Sequence, residues 1–329
     1  MYRLAMSQNR QGVSAWLPWL ALAAAAVAAG FLLPWQQVWA ALAHAQKAWL
    51  LAALAICLAA TPVMATQWRL YLPEQYRLAW RRVFDITALT VMARATLPFL
   101  GGDASGIGLL MMRGGLSAGI AALVLTLDHL FTGIGKVAMV CATLAFASIP
   151  SVIATAGASL AILVAGLLAV LLIAAAHGRS LHGLAETLPP RLASYLSKIA
   201  DLTGHLELLR HPARASGALT LTLLKKAIEI GVTFSVQHAV GIDLSLGNTI
   251  LVVTALDLAA VIPGPPSGLG IFEATALFIY HFLGIGAGTA FAGALLLHAV
   301  YFTADVGYGY AVLLGQARRK TISDREGMN

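Results

Sequence analysis

Long, uninterrupted apolar runs dominate the pattern of hydrophobic and polar positions along the 329-residue chain. Six of them approach or exceed the roughly 20 residues with which an α-helix crosses a bilayer. The strands of a membrane barrel would instead alternate with a period of two. The pattern therefore predicts an all-α, polytopic membrane protein with full spans at about 16–33, 48–66, 117–145, 151–176, 216–240 and 289–314.

Two further apolar regions, 84–112 and 248–283, are broken in the middle. Residues 97–103 form the first break and read LPFLGGD, and Ile262–Glu273 form the second and read IPGPPSGLGIFE. Proline removes a backbone donor and glycine costs backbone entropy, so neither segment continues a helix. Broken backbone at membrane depth is tolerated only inside protein or beside a water-filled cavity. Such breaks are typical of binding sites in transporters.

Charge asymmetry predicts the orientation. Lysine and arginine are concentrated in three polar segments, at 67–82, 177–215 and 317–329. Almost none occurs in the other connections, at 34–47, 146–150 and 241–247. The positive-inside rule places the basic segments and both chain termini in the cytoplasm. The run at 16–33 is then a retained first helix rather than a cleaved signal peptide.

With this orientation both ends of 84–112 are cytoplasmic, and 248–283 starts and finishes outside. Each arm of a broken region has about 10 to 15 residues, or ~15–22 Å of helix, enough for roughly half to two-thirds of the bilayer. We therefore predict two re-entrant hairpins that enter from opposite faces, as in inverted-repeat transporters with a site near the midplane. The alternatives are two thin spans per region, or one span with a surface segment.

Composition agrees with a single membrane domain over 1–329. Hydrophobic residues make up 59% of the chain and charged residues 11%, and the mean hydropathy is +0.81. Soluble domains have about 25% charged residues. The net charge of +7 follows from the basic loops and does not indicate nucleic acid. Within 177–215, residues 191–210 have the spacing of an amphipathic helix, either on the inner leaflet or packed on the bundle.

Ionisable side chains inside apolar segments are expensive, so each is a candidate site residue. They are Arg94, Asp103, Asp128, His129, Lys136, Lys225, Lys226, Glu229, Asp257, Glu273, His281, His298 and Asp305. Cys57 and Cys141 lie in apolar runs, and no Cys/His cluster has metal-ligand spacing. We therefore expect no disulfide, metal or cofactor. No nucleophile motif, zinc-protease motif or P-loop occurs, so we assign no catalytic residue.

Asp103 and Glu273 rank highest because each lies beside a break, either as a helix cap or as a ligand. The breaks also place glycine N–H groups at helix N-termini, where such groups bind phosphate or carboxylate. These glycines are Gly101, Gly102, Gly268 and Gly270. Asp128, Asp257 and Asp305 serve proton coupling or structural pairing; His281 and His298 fit core or interfacial histidines better than ligands.

Basic residues predict the charge of the ligand. Lys225 and Glu229 are four residues apart and can pair on one helix face. The adjacent Lys226, together with Arg94, leaves an excess of positive charge that favours an anionic ligand.

The motifs at Gly101–Asp103, at 109–115 (LLMMRGG), at Asp128 and at 263–274 resemble the lysylphosphatidylglycerol synthase transmembrane region, or flippase-like domain family. The likeness covers nearly the whole chain. Gly106 and His129 stand where the family often has arginine, and Pro265-Pro266 are inserted in the late motif. The resemblance implies a lipid translocase. Only about fifteen residues follow the last span, so we expect no aminoacyltransferase domain and no lipid aminoacylation by this chain alone.

We therefore expect a lipid flippase of the bacterial inner membrane that moves an anionic or lipid-linked headgroup between the hairpins. Arg94, Lys225 and Lys226 would neutralise the phosphate, and the glycine N–H groups would bind its oxygens. Asp103 and Glu273 would orient the lysines or an amino headgroup, or titrate if transport is proton-coupled, and Glu229 belongs to the same predicted ligand set. The alternatives are a membrane enzyme that uses the same carboxylates on lipid-linked substrates, and a scaffold for lipid-synthesis enzymes.

Overall fold

The computed structural model describes residues 23, 30, 31, 33–98, 101–185, 211–262 and 264–326. This part of the chain is helical and contains no strand. Its helices are α1 (Trp35–Ala43), α2 (Lys47–Leu58), α3 (Ala60–Tyr71), α4 (Trp80–Thr96), α5 (Gly101–Gly114), α6 (Ala118–Phe146), α7 (Ser151–Ala185), α8 (Pro212–Ala239), α9 (Leu246–Ala259), α10 (Ile271–Phe282) and α11 (Ala287–Glu326). Short 3₁₀ turns occur at Glu74–Tyr76 and Pro266–Gly268.

Four segments are long and apolar enough to cross a membrane, and they match four predicted spans. They are Lys47–Tyr71, Ala118–Phe146, Ser151–Ile173 and Ala287–Arg319. The run predicted at 216–240 is the 28-residue α8, whose apolar sequence is interrupted by charged residues. Most of the predicted span at 16–33 and the amphipathic segment at 191–210 lie outside the described residues.

The first broken region is an antiparallel pair of helices, α4 and α5. Gly102 lies against Arg94, and Gly106 lies against Thr90. The first of these contacts requires glycine, since a Cβ at residue 102 would lie 2.6 Å from the Cα of Arg94. Small residues let helix backbones approach closely in this way. We call this pair hairpin one.

The second broken region is also an antiparallel pair, α9 and α10, which we call hairpin two. Its open end is held by the buried amide of Gln237 at the end of α8. The amide nitrogen donates to the Tyr280 hydroxyl at 3.2 Å, and the amide oxygen accepts from the Thr249 hydroxyl at 2.7 Å. The start of α9 and the end of α10 are therefore neighbours.

The two hairpins open at opposite ends of α6. Hairpin one leads into the start of this helix, because α5 ends at Gly114 and α6 begins at Ala118. Hairpin two opens at the other end, where Gly247 touches the carbonyl oxygen of Phe146. The tips consequently point toward each other along α6. Their depth in a bilayer, and hence re-entry, stays a prediction.

Each hairpin packs into its own apolar core. Hairpin one contributes Ile86 and Leu110 to a core with α3 and α6 that contains the fully buried Trp68. Hairpin two contributes Leu251 and Tyr280 to a core with α2, α8 and α11. In lipid, close van der Waals packing of such side chains, rather than their removal from water, holds each unit together. The charged residues Asp128 and Asp257 follow Leu127 of the first core and Leu256 of the second.

Gly102→Ala should destabilise hairpin one, because the added methyl group collides with Arg94. We expect a loss of roughly 1–3 kcal/mol, as for other overpacked sites. Gly108→Ala on the same helix is the matched control. Its nearest neighbour would be the Met112 methyl carbon at 3.9 Å, so alanine should help by up to about 1 kcal/mol. Thermal unfolding in detergent measures both, and equal midpoints for the two variants would refute the close contact.

Candidate functional site

A cavity of about 580 Å3 lies between the two hairpin tips. Hairpin one lines it with Arg94, Leu97 and Asp103, and α6 with His129, Thr132, Gly133 and Lys136. Hairpin two lines it with Ala259 to Ile262, Gly264, Pro265, Ser267, Gly268, Ile271 and Phe272, and α7 with Leu160 and Val164. Thr132 is the central residue of α6, so the cavity lies midway along a helix that is long enough to span a bilayer.

Arg94 connects hairpin one to α6. Its Nε donates to Asp103 Oδ1 at 2.9 Å, and its Nη2 donates to Asp128 Oδ2 at 3.3 Å. The other oxygen of Asp103 accepts from His129 Nε2 at 3.1 Å. Asp128 is only 4% exposed, whereas Arg94 is 31% exposed and reaches the cavity. The guanidinium therefore pairs with the buried Asp128 and also forms part of the cavity wall.

Lys225 on α8 completes this first cluster. Its Nζ lies 3.9 Å from Asp128 Oδ1, an oxygen that is buried and accepts no hydrogen bond from the described residues. Two cations, Arg94 and Lys225, thus face two carboxylates, Asp103 and Asp128. The cluster has no net formal charge when His129 is neutral.

A second cluster joins α8 to hairpin two. Lys226 Nζ donates to both oxygens of Asp257, at 2.7 and 2.9 Å, and to Glu229 Oε2 at 2.7 Å. Lys136 Nζ donates to the backbone carbonyl of Asp257 at 2.6 Å. A lysine at a helix C-terminus satisfies such free carbonyls. The prediction that Lys225 pairs with Glu229 is wrong, because Glu229 takes Lys226 and Lys225 faces Asp128.

These pairs also correct the predicted excess of positive charge. Asp128 and Asp257 neutralise the cations of α8, and Lys225, Lys226 and Glu229 do not line the cavity. The adjacent lysines point to different clusters, one for each hairpin. Buried charges need such partners because an uncompensated charge costs several kcal/mol.

The tip of hairpin two holds a third polar group. His298 on α11 donates from Nδ1 to Glu273 Oε1 at 2.5 Å, and its Nε2 lies 2.8 Å from Ser267 Oγ. The other oxygen of Glu273 accepts from the Gly270 N–H at 2.7 Å. This last bond caps α10, as predicted for the carboxylate. Gly270 has φ +84°, which glycine adopts without strain.

Ser267 is the one non-glycine residue with positive φ in the described part of the chain, at φ +57°. A side chain in this region costs about 1–3 kcal/mol and is found mostly at functional sites. Pro265 and Pro266 help to set the turn, since their carbonyls accept from Gly268 and Leu269. The two prolines, for which no role was predicted, therefore shape the tip that presents Ser267.

Of the predicted ligand residues, Arg94, Asp103 and Gly268 line the cavity. Gly101, Gly102 and Gly270 belong to the tips, and Glu273 faces a neighbouring cavity. Asp128 and Asp257 act in the ion pairs. Asp305 lies on α11 and has no side-chain hydrogen bond or ion pair within the described residues. Its role in proton coupling stays a prediction, as does that of the other two aspartates.

Five polar residues at this site were not among the predicted ligands: His129, Thr132, Lys136, Ser267 and His298. Several of them carried a signal in the sequence. Lys136 is a cation within an apolar run, and Ser267 is the polar residue inside the second break. The sequence marks His298 as an intramembrane histidine but does not identify its partners, because it reaches the tip from 31 positions beyond Ser267. No group of three or more potential metal ligands occurs in the residues that the structure describes.

The arrangement suits an amphiphile with a charged end. Two helices, α5 and α10, begin at the cavity, and each has a carboxylate in its first turn, Asp103 and Glu273, where the helix dipole favours negative charge. The remaining wall is apolar, with Leu97, Leu160, Val164 and Ile271 among its residues. A cavity of this size and mixture is typical of small-molecule sites.

The family model described as lysylphosphatidylglycerol synthase TM region matches residues 19–309. No curated protein matches the chain.

Arg94→Ala should destabilise the protein, because it leaves the buried Asp128 with only the more distant Lys225. Breaking a buried pair in this way costs about 3 kcal/mol or more. Arg82→Ala, at an exposed position of the same helix, should change stability by no more than about 0.5 kcal/mol. The measurement is thermal unfolding in detergent. An Arg94 variant that unfolds with the Arg82 control would contradict the linking role of this guanidinium.

Proposed function

The chain belongs to the lysylphosphatidylglycerol synthase transmembrane-region family, and from this premise we propose that it is a lipid flippase. Membership supports a membrane function related to lipids. The proposed activity is movement of an anionic or lipid-linked headgroup across the bacterial inner membrane, without chemical change, through the cavity between the hairpin tips.

The observation that carries the proposal is the position of this cavity. It lies beside Thr132, midway along α6, and both hairpin tips contribute to its wall. The hydrocarbon core of a bilayer offers no hydrogen-bond partners to polar groups. A polar cavity at this depth therefore lowers the free-energy cost of moving a charged headgroup across. Transporters with opposed broken helices bind their substrates at such a place.

The charge of the wall supports an anionic headgroup. Lys136 lines the cavity, and among the described residues its ammonium group has no carboxylate within 4.0 Å. Arg94 lies on the same wall. We therefore assign the phosphate to Arg94 and Lys136, and we assign to Lys225 and Lys226 the task of holding the carboxylates that keep these groups in place.

The acyl chains would remain in the surrounding lipid while the headgroup crosses. The side wall at α7 suits this mode, because only 6% of an apolar 18-residue stretch within Ser151–Ile173 is buried in the protein. Leu160 and Val164 of this helix line the cavity, whereas Ile162 and Leu163 between them are exposed on the outer surface. A helix with few packing contacts moves at low cost, so α7 is the proposed lateral opening.

The proposed orientation follows the distribution of arginine. Hairpin one opens at the end of the bundle that carries Arg69, Arg77, Arg81 and Arg82, which the positive-inside rule assigns to the cytoplasm. Hairpin two would then enter from the external face. Both termini would be cytoplasmic, and lipid-synthesis enzymes would be partners on that side.

The test is a reconstitution of the purified chain in liposomes that contain phosphatidylglycerol with a fluorescent acyl chain. Dithionite added outside bleaches only the outer leaflet, so movement of lipid raises the bleached fraction. We expect protein-dependent movement of lipid with an unaltered headgroup. A chemically altered headgroup would favour a membrane enzyme that acts on it, and neither movement nor alteration would favour a scaffold.

Thr132→Trp should reduce movement to the rate of protein-free liposomes, because the indole fills the middle of the cavity. Thr132 has no side-chain hydrogen bond in the described part of the structure, so its loss breaks no polar contact. Cys141→Trp is the matched control, since Cys141 is an exposed residue of the same helix outside the cavity wall. Unchanged movement in the Thr132 variant would exclude the cavity as the path.

A further inference from the structure

The tip of hairpin two contains a hydroxyl, an imidazole and a carboxylate in series. Ser267 Oγ lies 2.8 Å from His298 Nε2, and His298 Nδ1 lies 2.5 Å from Glu273 Oε1. The carboxylate accepts a hydrogen bond from the Nδ1–H group, so Nε2 of the neutral ring accepts a hydrogen bond from the serine hydroxyl. The Gly270 N–H fixes the second carboxylate oxygen at 2.7 Å. This order of groups activates serine nucleophiles on unrelated folds.

A structural role alone leaves two features unexplained. The bond between Gly270 and Glu273 already caps α10 without the histidine. Ser267 occupies the left-handed region between prolines and glycines, where another glycine would be free of strain. The chain therefore keeps a hydroxyl at a position that disfavours any side chain. A serine on a strained turn that begins a helix is also how α/β-hydrolases present their nucleophile.

All three side chains line a second cavity, of about 520 Å3. Its other walls are mostly apolar and include Leu269, Leu295 and Phe302. Leu269 and Phe302 are 42% and 43% exposed, so this cavity reaches the outer apolar surface of the bundle. Ser267 also lines the charged cavity. It consequently lies at the boundary between a charged space and an apolar space.

An acylated phospholipid matches this boundary. With its phosphate beside Arg94 and Lys136 and an acyl chain against Leu269 and Phe302, its carboxylic ester lies at Ser267. The placement of the phosphate rests on the proposed function. The geometry points to a second activity: we propose that Ser267 is a nucleophile that cleaves the ester of a lipid acyl chain.

The reaction uses only the lipid and water. Ser267 Oγ attacks the ester carbonyl while His298 Nε2 takes the serine proton. The ester C–O bond then breaks, and the departing alcohol takes that proton from His298. Water attacks the acyl-serine by the same route and releases a fatty acid. Glu273 is a positioning residue, which holds the imidazole and stabilises its protonated form.

An alkyl fluorophosphonate with a fluorescent tag tests the nucleophile directly. The serine oxygen displaces fluoride from phosphorus, so labelling needs no lipid substrate and no transport. The full chain in nanodiscs should become labelled at Ser267, as identified by peptide mass spectrometry. Ser105→Ala should label like the wild type, because Ser105 bonds only the Gly101 carbonyl in the described structure.

Three variants separate catalysis from folding. Ser267→Gly should lose the label while its thermal midpoint stays at or above that of the wild type, because glycine suits the positive φ. His298→Gln should label at least roughly 10²-fold more slowly, as expected on loss of a general base. Glu273→Gln should also label slowly, although the amide oxygen can still accept from Gly270 and cap α10.

Absence of labelling in folded wild-type protein, or labelling only at another serine, would overturn the inference. The serine, histidine and glutamate would then only tie the tip to α11. Lipid movement without labelling overturns this inference and leaves the proposed function intact. Labelling without lipid movement supports the nucleophile and overturns the proposed function.

Discussion

The structure depends on the ion pairs that join Arg94, Lys225 and Lys226 to aspartates between two apolar cores. Lys225 and Lys226, neighbours on α8, face Asp128 on α6 and Asp257 on hairpin two. Arg94 brings hairpin one to the same Asp128. Each hairpin is thus tied to a central helix by an ion pair. Without these partners an isolated charge in apolar surroundings costs several kcal/mol, so the ion pairs favour the observed arrangement of the tips.

This pairing explains how a polar cavity exists without an excess of charge. The prediction from sequence counted the cations of α8 near one acid and inferred an anion site there. The structure uses those cations for support and leaves Arg94 and Lys136 on the cavity wall. The proposed preference for an anion therefore rests on the positions of Arg94 and Lys136 rather than on net charge.

The elements were predictable where one physical rule dominated. Apolar runs gave four spans within a few residues, and Pro98 and the second proline-rich break marked both hairpin tips. Side-chain partners were not predictable, because pairing depends on which helix faces cross in space. His298 shows this well: its sequence neighbours are apolar, and only tertiary packing brings it to Glu273 and Ser267. The likeness to the family, by contrast, was readable from local motifs.

The central claim is that the tips end inside the bilayer, and a depth measurement tests it most directly. A nitroxide on Val261→Cys, at the exposed tip of hairpin two, is compared with one on Leu246→Cys at its open end. Collision rates with oxygen and with a water-soluble nickel complex report the depth of each label in liposomes. The 14 residues of α9 rise about 21 Å. We expect the label at 246 near the polar interface and the label at 261 within the hydrocarbon core. A label at 261 that reads at either polar interface would contradict the account.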